Sequence, residues 1–159
     1  MTDQTTTDQT TPDVTTTGQA PTGQTTTGQT PAPQVWPTLR ARDAHALIAF
    51  LSDAFGFVPT VVYAEGDTVS HAELAWPEGG GIMLGSVRED AWALEAGSFG
   101  AYVVTDKTDE LHARAKAAGA EIIKEPFVTD YGSRDFQARD PEGNRWSFGT
   151  YRGHPLKGE

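Results

Sequence analysis

Along the first 34 residues the chain has almost no hydrophobic pattern. "TTTDQ", "TTTGQ" and "PTGQ" recur, and Val14 is the one aliphatic larger than Ala after the start Met. Such a segment cannot bury enough apolar surface to offset the entropy of ordering, so a disordered tail over 1–34 is expected. From Val35 the pattern changes. "VWPTLRAR" predicts a strand, placed at a sheet edge by Pro37. Asp43 predicts a helix N-cap, and Leu47, Ile48, Leu51 and Phe55 recur on one helical face until Gly56. "FVPTVVYAE" and "TVSHAELAW" predict strands about a turn at Gly66-Asp67, and "GGIMLGS" a further strand. The same order then repeats. "FGAYVVT" predicts a strand and "DKTDELHARAKAAG" a helix capped near Asp106 and ended by Gly119. "AEIIKEPFV", "SRDFQAR" and "RWSFGTY" predict three more strands.

The two passes share landmarks at a shift of 63 or 64 positions. Asp43 maps to Asp106, Gly56 to Gly119 and Gly85 to Gly149, while Pro77-Glu78-Gly79 recurs as Pro141-Glu142-Gly143. Several coincidences at nearly one offset predict an internal duplication of a βαβββ unit. The expected fold is therefore α+β, with modules 35–86 and 98–152 inside a domain 35–152 and a C-terminal tail 153–159.

Composition narrows the function. The net charge of −10 argues against nucleic acid and anionic membranes, and is compatible with a cationic ligand. With no cysteine there is no disulfide and no thiolate site. No apolar run spans a bilayer and no secretory signal opens the chain, so the expectation is a cytoplasmic protein with no membrane partner. No catalytic group stands out: Ser147 has no evident base, and Ser70 and His71, adjacent on a strand, point to opposite faces.

Two βαβββ modules closed by Asp140-Pro141-Glu142-Gly143-Asn144-Arg145-Trp146-Ser147-Phe148 resemble the vicinal-oxygen-chelate superfamily. That superfamily includes glyoxalases, extradiol dioxygenases and bleomycin-resistance proteins. The resemblance implies a cupped mixed sheet with helices on its convex face and a ligand on its concave side. In metal-using members a His early in the first strand and a Glu in the last strand of a module hold the ion. The corresponding positions here are Trp36 and Gly100, and Met83 and Ser147. None supplies the imidazole or carboxylate that such an ion requires.

The resemblance then points to the non-metal branch, like bleomycin-resistance proteins: no cofactor, and a homodimer that sequesters a small cationic aromatic natural product or antibiotic. Strand alternation from the ligand positions turns Trp36, Thr38, Met83, Gly100, Tyr102, Arg145 and Ser147 to the cup; Trp92 in the inter-module link, counted with the ligand-binding candidates, has three places open to it: the mouth of the cup, a dimer contact or its own core. The second reading is a glyoxalase-type lyase or isomerase, or a dioxygenase-like enzyme, with a displaced metal. His71 and Glu73, two apart on one strand face, would then be its ligands. A third is a partner protein docking through the Thr-Gly-Gln tail.

Overall fold

The computed structural model describes residues 33–155 and Lys157. The tail expected over 1–34 lies almost wholly outside the described residues.

Module 1 runs β1 (Thr38–Ala41), α1 (Ala44–Phe50), β2 (Val58–Glu65), β3 (Thr68–Ala75) and β4 (Gly81–Ser86). Module 2 runs β5 (Gly100–Val104), α2 (Thr108–Ala117), β6 (Glu121–Val128), β7 (Arg134–Arg139) and β8 (Arg145–Gly149). Each module forms its own four-stranded mixed sheet, ordered β1-β4-β3-β2 and β5-β8-β7-β6. This is the duplicated βαβββ unit. The repeat holds to the register: Thr38 pairs with Met83 in the parallel β1–β4 ladder, and Tyr102 with Ser147 in β5–β8.

Local chemistry explains the element ends. The Asp43 carboxylate accepts from the Ala46 N–H at 2.9 Å and caps α1. The helix closes in a π-helical turn over Leu51–Phe55, and Gly56 takes the left-handed conformation (φ 85°) that releases the chain into β2. Two expectations shift. The first strand begins at Thr38 rather than Val35; the proline carbonyl at 37 still accepts from Met83 N–H (2.9 Å), but the proline has no N–H with which to continue the ladder. The second helix begins at Thr108, not at a cap on Asp106. The Thr105 hydroxyl accepts from Lys107 N–H (3.1 Å), while Asp106 is paired with Arg152.

One core serves both modules. Leu39, Leu74 and Leu84 from the first sheet, Phe136, Trp146 and Phe148 from the second, and Leu47, Leu51, Phe55 and Leu111 from the helical segments are buried together. Phe55 sits at its centre, 4.8 Å from Phe148 and 5.6 Å from Trp146 between ring centroids. These are the faces that alternation assigns to the helices. The opposite sheet faces are left open or half-covered.

The repeated Pro-Glu-Gly turns join the modules reciprocally. The Asp140 carboxylate organises the second turn. Its Oδ1 accepts the N–H groups of Glu142, Gly143 and Asn144, each at 3.0 Å, and its Oδ2 accepts Asn144 Nδ2 (2.8 Å) and Trp146 Nε1 (2.9 Å). Glu142, held by this turn, reaches across to module 1. Its Oε1 accepts from Asp43 N–H (2.7 Å), and Arg42 donates to its carbonyl (2.8 Å). Glu78 of the first turn makes the matching reach into module 2, accepting from the Thr105 hydroxyl at 2.7 Å. Each turn thus secures the strand–helix junction of the other module. Among the described residues no helix is long and apolar enough to cross a membrane.

Candidate functional site

The open face of the first sheet is set by alternation along β1, β3 and β4. Thr38, Met83, Glu73 and Val61 are successive neighbours in one row across it. The adjoining rung pairs Arg40 with Gly85 and Tyr63 with His71. Trp36, just ahead of β1, lays its ring over Gly81: a Cβ there would stand 2.7 Å from the indole Cζ3. Gly85 does the same service for Arg40, because a Cβ on Gly85 would overlap Nη1 of the guanidinium. A cavity of about 180 Å³ opens on this face, lined by Thr38, Arg40, His71, Met83, Arg88 and Trp92 among others.

The second sheet has an equivalent face. Gly100, Arg145, Arg139 and Glu121 form one row, and Tyr102, Ser147, Gln137 and Lys124 the next. A cavity of about 470 Å³ lies over Gly100, Ile123, Gln137, Arg139, Arg145 and Ser147. The structure therefore brings Thr38, Met83 and Trp92 together, and separately Gly100, Arg145 and Ser147; these two cavities share no residue. Tyr102 belongs to neither. Its hydroxyl donates to Asp135 Oδ1 (3.1 Å), lies 3.1 Å from Ser133 Oγ and accepts from Tyr151 N–H (3.1 Å). Burial raises its pKa, and the neighbouring carboxylate of Asp135 adds a smaller push in the same direction.

The residues at the metal-ligand positions do not fit an ion. Indole, thioether, a bare glycine and a hydroxyl are a poor donor set for a hard or borderline divalent cation. His71 and Glu73 do share a face, but they bind each other, Nε2 to Oε1 at 3.0 Å. Among the described residues no group of three or more His, Asp or Glu side chains is arranged to hold a metal.

The pattern of the Glyoxalase/Bleomycin resistance protein/Dioxygenase superfamily matches residues 34–148. The chain belongs to this superfamily. Within it, the chain is similar to TioX from Micromonospora sp. ML1, with 28% identity over 71% of this chain and 94% of that one, at a TM-score of 0.62. A glyoxalase-related enzyme from Fulvimarina pelagi shares the fold at 21% identity, 78% and 92% coverage and a TM-score of 0.60. So does a superfamily member from Sphaerobacter thermophilus, at 19% identity, 72% and 93% coverage and a TM-score of 0.57. Comparison with curated proteins gives no match.

Three face residues escaped the sequence reading: Arg40, Arg88 and Arg139. The signal for Arg40 was present, since alternation puts it on the same face as Thr38. Arg88 lies in the link beyond β4, where no period applies, and reaches the cavity by tertiary placement alone.

Proposed function

We propose that this superfamily member is a metal-independent small-molecule-binding protein that sequesters its ligand on the open sheet faces. The observation that carries this reading is the chemistry of the four ligand positions, Trp36, Met83, Gly100 and Ser147. An aromatic ring over Gly81, a thioether and an exposed Trp92 at the cavity rim make a surface for a flat, apolar body. Aromatic natural products, antibiotics among them, have that shape. The protein acts as a homodimer, in which a second copy covers the open sheet faces, where Tyr63 and Ile123 are exposed. Its place is the cytoplasm.

The test is elemental analysis of the purified protein, with a tryptophan-fluorescence titration against a panel of aromatic antibiotics and turnover followed by chromatography. Saturable binding, recovery of the ligand unchanged and no stoichiometric divalent ion are expected. A tightly held ion, or conversion of the ligand that is lost on His71→Ala, would move the assignment to an enzyme with a displaced metal.

A further inference from the structure

We propose that the cavity on the first sheet recognises an anionic group, a carboxylate borne by an aromatic ligand, through the guanidinium of Arg40. The inference rests on the binding reading above and specifies the ligand for one of its faces.

The charge of the whole chain is −10 and would favour a cation at long range. The lining of this cavity has the opposite character. Arg40 and Arg88 both line it. The carboxylates beside them are already engaged. Asp90 gives Oδ2 to Arg88 Nε at 2.5 Å and Oδ1 to the N–H of Trp92 at 2.8 Å. Glu73 is bound to His71. The Arg40 guanidinium makes no hydrogen bond or ion pair within 4 Å with any described residue. It is half-buried, seated over Gly85, and burial followed by the nearby Arg88 lowers its pKa from the ordinary value, against a smaller opposing pull from Asp90.

A partly desolvated cation beside a like charge, whose nearest carboxylate, Asp90, is paired with Arg88, is an unfavourable arrangement that an incoming anion relieves. The guanidinium fork suits the two oxygens of a carboxylate. Trp92 stands at the same cavity with 62% of its surface exposed, and its backbone is fixed by Asp90, so a ring attached to that carboxylate has an aromatic neighbour. The seat on Gly85 matters too, because any side chain there displaces the guanidinium.

The probes are 2-naphthoate and its uncharged analogue 2-naphthamide, titrated by tryptophan fluorescence and calorimetry against the full chain. Naphthoate is expected to bind more tightly than the amide, and to weaken as salt rises while the amide does not. Arg40→Gln should cost naphthoate about tenfold or more in affinity and leave the amide unchanged. Arg40→Lys, which keeps the charge and loses the fork, should fall between. Gly85→Ala should resemble Arg40→Gln, with circular dichroism confirming that each variant is folded. Equal binding of both probes, or an Arg40→Gln variant that binds naphthoate as the parent does, overturns the anion assignment and leaves the binding reading standing. Failure of both probes to bind overturns the two together.

Discussion

Replacing Asp140 by Asn removes one charge and changes almost no volume, so its effect isolates the hydrogen bonds of the second Pro-Glu-Gly turn. The Asp140 carboxylate accepts five of them and is 4% exposed. An Asn oxygen at the Oδ1 position can still serve the three backbone N–H groups. The amide nitrogen then faces Asn144 Nδ2 and Trp146 Nε1, both donors and both on fully buried side chains. Flipping the amide is worse, since it sets the nitrogen against three N–H groups instead of two. Each buried donor left without an acceptor costs about 1–3 kcal/mol, so the pair costs about 2–6 kcal/mol. A domain of this kind has only about 5–15 kcal/mol in all. Urea unfolding of Asp140→Asn should therefore show a large fall in midpoint with an unchanged slope. A loss below about 1 kcal/mol would refute the reasoning, because it would mean that the Asn144 and Trp146 donors find other acceptors.

Two further outcomes follow from the same geometry. Glu142→Ala orphans the Asp43 N–H, while Arg42 keeps the backbone carbonyl of residue 142, and should destabilise by about 1–3 kcal/mol in urea unfolding; Glu78→Ala, which takes the acceptor from the buried Thr105 hydroxyl, should cost a similar amount. For Tyr102 the folded-state pKa is raised, chiefly by burial, so the folded chain holds this proton more tightly than the unfolded chain. That contribution to stability is complete below the unfolded value of about 10 and is lost as pH rises toward the folded pKa. An ultraviolet absorbance titration should show one tyrosine ionising above pH 10, and Tyr102→Phe should remove both that step and its share of the alkaline loss of stability.

The fold was largely legible in the chain because its signals are local. Alternation in "GGIMLGS" and "RWSFGTY" separates Ile82, Leu84, Trp146 and Phe148, all buried, from Met83 and Ser147 on the open face. The turn at Gly66-Asp67 and the left-handed Gly56 and Gly119 fix element ends by their own conformations. The repeat adds a second reading of every element. Pairing across the chain is what local patterns do not carry. Nothing in the period of β1 says that Arg40 will rest on Gly85, and nothing near Asp90 says that it will take both Arg88 and the backbone of Trp92. The division of the site follows the same logic: alternation correctly turns Met83 and Ser147 to open faces, but which face joins which cavity depends on how the two sheets share their core.

The reciprocal reach of the two glutamates also bears on how the chain acquires its structure. Glu142 meets Asp43 across 99 residues, and Arg42 meets the Glu142 carbonyl across 100. During synthesis the β1–α1 junction is made early, yet the group that satisfies its N–H arrives only with the final hairpin. Contacts of such sequence separation form slowly, because the intervening loop must be closed first. The first module therefore waits for the last, and a chain cut in the 88–98 link yields two pieces, each lacking the acid that completes it. Mixed together, they supply one another's missing carboxylate.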